Sequence, residues 1–405
     1  MIRPRKLLAT VTAAHALNHA FLLAFPPLLV PLMNEFKTDL VGGGAAMTGL
    51  YLASGLGALP AGWLADRWGP RRLIHIFLGG ASLCLILTSF APDLKTMSVS
   101  ILFLGLFCSL YHPSGLSLIS KRCVPIGRAF GIHGIGGNLG LAFGPFLVAQ
   151  LSSMFGWRSA LMVLASAGIV LMPLFAWSGD RQERSPEGEI GSRPDIGPNH
   201  LSLGLAIACQ GLLGFCYRGI LTFLPLYFTA RHGGLLERMD PISAGGLLTS
   251  LSLGIGVAGQ YFGGWLSNRT SPERLFSILL LATLPFPFLM AFGEGLPLLA
   301  CAALFAFFFF AAQPVGNLLI ARHSGEAWRS LGFGFSFTAS FGFGSFAALA
   351  GGWIAEKRSL AALFPAMGSV LALGAVVSLL LVRQTRKGRF PASISSGTPP
   401  PLSST

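Results

Sequence analysis

The chain has 405 residues, of which 11% are charged and 53% hydrophobic, with a mean hydropathy of +0.67. An ordinary soluble domain carries roughly 25% charged residues, so a water-soluble globule could not cover itself and is excluded. The formal charge of +13 does not point to nucleic acid, because Lys and Arg cluster in short loops between apolar runs, a membrane-topology pattern.

The apolar runs fall at about 7–33, 41–65, 73–91, 97–120, 128–152, 157–177, 201–229, 242–266, 275–293, 295–321, 330–353 and 360–382. Each can cross a hydrocarbon core, which needs roughly 20 helical residues. None shows the short alternation of a barrel strand. The first follows Arg3-Pro4-Arg5-Lys6 as a signal peptide would, but it continues to about Met33. That is too long for a signal core, so it reads as a retained helix. The ninth and tenth runs are separated only by Gly293-Glu294-Gly295. The expected fold is all-α and polytopic, with twelve transmembrane helices in two pseudo-symmetric six-helix bundles.

Residues 178–200 are polar and rich in Gly and Pro, which reads as a linker between an N-terminal bundle (1–177) and a C-terminal one (201–382). Residues 383–405 turn from basic to Pro/Ser-rich and read as a disordered tail. Twenty Lys and Arg fall on the side of the N-terminus and seven on the other, with Arg218 inside a span. The bias places both termini in the cytoplasm of a cell whose plasma (inner) membrane holds the protein. The lipid bilayer is therefore a partner. The six cysteines form no CxxC pair, and neither a metal site nor any other cofactor is expected.

The halves repeat. Gly62-Trp63-Leu64-Ala65-Asp66-Arg67 returns as Gly264-Trp265-Leu266-Ser267-Asn268-Arg269, at an offset of 202. His112-Pro113 pairs with Gln313-Pro314, and Arg128 with Arg329. Internal repeats in a polytopic chain point to a transporter whose site lies between them.

Asp66 can accept charge-assisted hydrogen bonds from Arg67, Arg71 or a neighbouring helix end. Gly62 and Gly69 allow close approach and a tight turn. Such a cluster, with Arg72, can lock one conformation and release it when the bundles rock. The segment resembles the loop signature of the major facilitator superfamily, with Pro70 as its oddity. The second copy carries Asn268 for the acid, so the first is expected to dominate gating. Gly136, Gly140, Gly144 and Pro145 line one face of the fifth run. They are similar to the antiporter motif of drug-exporting facilitators. Simple small-residue packing explains them as well, and Pro145 is expected to bend the helix.

Polar residues inside spans are costly and therefore suspect. No Asp or Glu lies deep in any run. The group that exchanges protons would then be histidine. His15, His19, His112 and His133 all lie inside N-terminal spans, with Asn18 on the face shared by His15 and His19. At 1.5 Å per residue His15 and His112 lie roughly 13 Å from the cytoplasmic end. Packing histidines are the plain alternative. Metal ligation is the weaker one, since no carboxylate or cysteine completes the set.

In the other half, Tyr217-Arg218 aligns with Asn18-His19 when Pro225 is set on Pro26. Arg218 suits a carboxylate or phosphate group, or a structural partner. Gln210, Gln313, Asn317 and Asn138 are candidates for the same cavity. The Phe307–Phe310 run reads as lipid-facing or core packing.

His15-Ala16-Leu17-Asn18, Tyr111-His112-Pro113 and the span-five glycines resemble motifs of the fosmidomycin resistance protein family. His19 stands where that family has Asp, and Ser114 where it has Glu. The resemblance implies alternating access and proton-coupled export of a small anionic or amphiphilic compound, by a monomer. An importer or uniporter of a metabolite anion is the alternative. A non-transporting membrane enzyme or sensor is disfavoured by the repeat and the gating loop.

Overall fold

The computed structural model describes residues 4–38, 40–178, 199–231, 234, 238 and 241–387. Most of the expected linker and the tail beyond Lys387 lie outside the described residues. Among the described residues, ten helices are long and apolar enough to cross a membrane. In chain order, span 1 is Arg5–Leu28, span 3 Pro70–Ser89, span 4 Leu94–Arg122, span 5 Ile126–Phe155 and span 6 Trp157–Trp177. Span 7 is His200–Arg231, span 9 Pro272–Met290, span 10 Gly295–His323, span 11 Arg329–Lys357 and span 12 Leu360–Arg386. Two more complete the twelve. Span 2 is Leu40–Leu56 followed by Ala58–Trp68, divided at Gly57, and span 8 is Pro241–Leu266, diluted by glycines, serines and Gln260.

Prolines and small residues set the irregularities. Span 1 ends its first helix at Leu22, and Pro26-Pro27 open a short 3-10 turn before Leu29–Phe36. A proline lacks the N–H that the preceding turn needs. The expected single run of 7–33 is therefore two helices. Span 4 breaks at Leu110, two residues before His112-Pro113. Span 9 breaks at Leu284, before Pro285. Span 5 in contrast runs unbroken through Pro145. Span 12 stays helical to Lys387, so the expected tail boundary at 383 moves outward by more than one turn.

The glycine stripe of span 5 lies against span 1. Gly136 faces Thr12, Gly140 faces Ala16 and Gly144 faces Ala20, one helical turn apart. An added Cβ at Gly140 would meet the Ala16 backbone, which cannot swing away as a side chain can. Gly140→Ala is expected to destabilise by about 1–3 kcal/mol. Thermal unfolding of the purified protein measures it, and a melting temperature matching wild type would refute the packing account.

At the end opposite Asp66, the Trp157 indole donates to Glu35 at 2.6 Å, and Arg158 pairs with the same carboxylate at 2.5 Å. The Trp157 hydrogen bond first, and Arg158 after it, hold the Glu35 carboxyl below the ordinary carboxylate range. A depressed carboxyl stabilises the fold above its unfolded pKa and ceases to do so as pH falls through the folded one. Glu35 is 39% exposed, so solvent screening limits the gain. Glu35→Gln is expected to cost under about 1 kcal/mol at pH 7. At pH 3 the difference from wild type should shrink.

Candidate functional site

The repeat places two equivalent contacts between the halves at the Asp66 end. The Ala58–Trp68 part of span 2 packs on the start of span 11, and span 8 packs on span 5. Gly62 lies on Ser330 and Leu331, and Gly264 lies on Gly127 and Gly131. Asp66 accepts from the backbone N–H of Ser330 at 3.0 Å and of Leu331 at 2.8 Å. These are first-turn N–H groups of span 11, which have no partner within their own helix. The carboxylate satisfies them and meets the positive end of the helix dipole. Lys121 stands 3.8 Å from the same carboxylate, and Ser330 Oγ donates to Ser117 Oγ at 2.7 Å. At the repeated site Asn268 Oδ1 accepts from Gly127 N–H at 3.3 Å. The second loop copy therefore makes the same kind of cap with one longer, uncharged bond.

The neighbouring helix end is thus what Asp66 holds, and the two expected arginine partners are engaged elsewhere. Arg71 donates to the carbonyls of Phe175 and Ala176, at the C-terminus of span 6. Arg67 lies over the Trp63 ring and Arg72 over Trp68. Gly69, at φ +88°, turns the chain into span 3.

Beyond this closed end lies a cavity of about 320 Å³ between the bundles. His15 and His19 from span 1, His112 from span 4, and His133 and Asn138 from span 5 line it. So do Gln210, Tyr217 and Arg218 from span 7, and Gln313 and Asn317 from span 10. Asn18 is the exception. It is fully buried behind His112 and donates Nδ2–H to its Nε2 at 3.2 Å. Tyr51, Gln260, Phe337 and Phe341 also line the cavity and were not expected there. Gln260, a polar residue inside an apolar run, carried the same signal as Gln313. Its Nε2–H donates to Gln313 Oε1 at 2.7 Å. Tyr51, Phe337 and Phe341 carried none. Phe309 and Phe310 of the Phe307–Phe310 run reach the cavity wall as well.

The four histidines form one cluster. The His15 and His133 rings stack with centroids 4.0 Å apart, and His112 stacks on Phe337 at 4.3 Å. Nitrogen and oxygen roles follow from the partners. His15 Nδ1–H donates to the His133 carbonyl at 2.8 Å, which leaves Nε2 of neutral His15 as an acceptor. His19 Nε2–H donates to it at 3.1 Å. The Tyr111 hydroxyl donates to the Val11 carbonyl at 2.5 Å and accepts from His133 Nε2–H at 2.9 Å. His15 thus joins the cavity-facing His19 to the interior. Ring nitrogens of His15, His19 and His112 lie within 4.8 Å of one another, a spacing that a metal ion could span. Nε2 of all three is engaged in hydrogen bonds, His19 with His15 and His112 with Asn18.

Arg218 faces the same cavity with its guanidinium over the Phe341 ring, 4.8 Å to the centroid. It has no carboxylate in an ion pair among the described residues. Arg218 Nε, the Tyr217 hydroxyl, Asn138 Nδ2 and His112 Nδ1 are buried without a hydrogen-bond partner among the described residues. Such groups are rare in native proteins. Here they sit around one cavity, where a polar ligand would satisfy them.

A family model described as Major Facilitator Superfamily matches residues 11–245 and 237–404. Among relatives, the gallate transporter of Pseudomonas putida is 24% identical over 61% of this chain and 62% of its own length. A multidrug resistance protein B homolog of Mycobacterium tuberculosis is 28% identical over 42% of this chain. The chain spans only 30% of that relative, and in both cases less than two thirds. The crystal structure of FucP, a transporter in the outward conformation, superposes with a TM-score of 0.72 at 13% identity. That superposition covers 93% of this chain and 99% of FucP. With its repeated halves, its twelve helices and a model match over nearly its whole length, the chain belongs to the major facilitator superfamily.

Proposed function

We propose that the chain is a proton-coupled secondary transporter of a small organic anion, with Arg218 holding the anion and His19 exchanging the proton. Alternating access carries the cargo through the inner membrane, with both termini in the cytoplasm and the protein acting as a monomer. The observation that carries this reading is the charge inventory of the cavity. Among the described residues its wall has one fixed cation, a histidine cluster and no carboxylate.

The same inventory bears on direction. An anion on Arg218 cancels positive charge beside His15, His19, His112 and His133, and so favours protonation there. Anion and proton then bind together rather than in competition, which is the logic of co-transport down an inward proton gradient. The glycine stripe that suggested exchange is accounted for by packing on span 1. Export remains a second reading, supported by the relative named as a multidrug resistance protein. The relative named as a gallate transporter supports an anionic cargo, because gallate is an aromatic carboxylate.

The test is proton movement in sealed vesicles, followed by a pH-sensitive dye, on adding benzenesulfonate. This anion stays charged at all working pH values, so it cannot carry protons across lipid by itself. Wild type should move protons with the anion, and Arg218→Gln should reduce that at least tenfold. Equal movement in both proteins would remove Arg218 from the site. Proton flow opposite to the anion's charge logic would restore the exchange reading.

A further inference from the structure

Beside the central cavity a second space of about 410 Å³ opens between spans 2 and 11. Leu52 and Leu56 line it from span 2, and Gly342, Ser345 and Phe346 from span 11. Tyr51, Gly55, Arg218, Thr222 and Phe341 belong to both spaces, so the two communicate at Arg218.

The sequence explains why the slot exists. Spans 2 and 11 touch closely where Gly62 meets Ser330 and Leu331. Thr338 Oγ1 still reaches the Gly55 carbonyl at 3.4 Å. From Thr338 span 11 leaves α geometry, first as a π turn over Thr338–Gly342 and then as a 3-10 turn over Phe343–Ser345. Such turns interrupt a helix where function needs an irregular wall. Gly342 and Ser345 leave room that larger side chains would fill, while Gly344 packs against the Gly214 backbone.

Leu52, Leu56, Phe341 and Phe346 make most of the slot wall apolar, with Thr48, Tyr51 and Arg218 as its polar members. Ser345 Oγ donates to the Gly342 carbonyl at 2.6 Å, and Thr222 Oγ1 to the Arg218 carbonyl at 2.7 Å. Both hydroxyls are thereby turned to their own helices. The outer rim is exposed, with Leu56 at 60% and Phe346 at 61%.

We infer that the slot is the tail site of an amphiphilic anion, whose head group pairs with Arg218 while its hydrocarbon portion lies between spans 2 and 11. This rests on the reading of Arg218 as the anion site and extends it to the rest of the cargo. The central cavity alone stands near the lower limit of ligand pockets, roughly 300 Å³. It holds a small head, and the slot supplies the apolar surface that such pockets use for affinity.

The experiment measures binding of benzenesulfonate and 4-butylbenzenesulfonate to the full-length protein in lipid nanodiscs. Fully burying one CH2 is worth about fourfold in affinity, so wild type should bind the butyl compound at least tenfold more tightly. Leu52→Trp fills the slot from span 2. Gly342→Leu fills it from span 11, where an added Cβ meets only Thr338 Cγ2, at an ordinary 3.7 Å. Either variant should bring the ratio of the two affinities below about threefold. Partitioning of the butyl chain into lipid is the same for every protein in the same nanodiscs, so it cancels when the wild-type ratio is divided by a variant's, and empty nanodiscs correct the wild-type ratio itself. A wild-type ratio below threefold, or a tenfold ratio that survives in both variants, overturns the tail site. Arg218→Gln separates the two ideas. If it leaves benzenesulfonate binding unchanged, the anion site fails, whatever the ratio shows.

Discussion

In Asp66→Asn protein, a cysteine placed at Ser117 is expected to react about 10- to 150-fold faster with an impermeant maleimide added on the Asp66 side. Ser117 is fully buried behind the contact between the halves and bonded to Ser330. It becomes reachable only when that end opens. The wild-type carboxylate accepts two backbone N–H groups at 3.0 and 2.8 Å. Charge-assisted hydrogen bonds are each worth about 1.5–3 kcal/mol. The amide keeps the shape but loses the charge, and one of its two polar atoms is a donor facing another donor. A loss equal to one such bond converts to the stated factor in the opening equilibrium. Asn268→Ala removes the equivalent but neutral and longer bond, so a smaller rise of about 2- to 12-fold is expected. Labelling that is unchanged in Asp66→Asn would show that this contact does not set the equilibrium between conformations.

The second large effect concerns the proton. In wild type the dissociation constant for benzenesulfonate should decrease as pH is lowered, by up to tenfold per unit for each proton taken up with the anion. The sign follows from the cavity charges. Adding the anion favours protonated histidine, so by linkage protonation favours the anion. The dependence ends where the histidines are already protonated without anion. His19→Ala should flatten the curve and remove proton movement coupled to the anion. His15→Ala should do the same if the chain from His19 to the His133 carbonyl carries the proton inward. The titratable groups that share the cavity with His19 are His15, His112, His133, Arg218, Tyr217 and Tyr51, and no carboxylate lines it among the described residues. A steep pH dependence that persists in His19→Ala would move the proton site to another histidine.

Much of the molecule was written in the chain itself. Twelve apolar runs and a low charge content dictate a helical bundle in lipid, because unpaired backbone groups cannot be left in hydrocarbon. The offset of about 200 residues between repeats dictates two like halves. Polar residues inside apolar runs could be picked out one by one because burial there is costly. Ten of the eleven chosen for the cavity line it, and the eleventh, Asn18, supports His112 from behind.

Partnership was not legible. Asp66 had charged neighbours within six residues, yet it bonds to Ser330 and Leu331 more than 260 positions away. Only the close approach of Gly62 to span 11 brings that helix end within reach, while the C-terminus of span 6 claims Arg71. The stacking of His15 on His133, the aromatic floor under Arg218 and the opening between spans 2 and 11 likewise depend on how helices cross. Apolar residues such as Phe337 and Phe341 look alike in sequence whether they face lipid, core or cavity. Sequence determined which segments enter the membrane and which polar groups they carry. Tertiary packing decided which of those groups meet, because contact depends on helix rotation and crossing, and hydrophobicity alone leaves both undetermined in a lipid solvent.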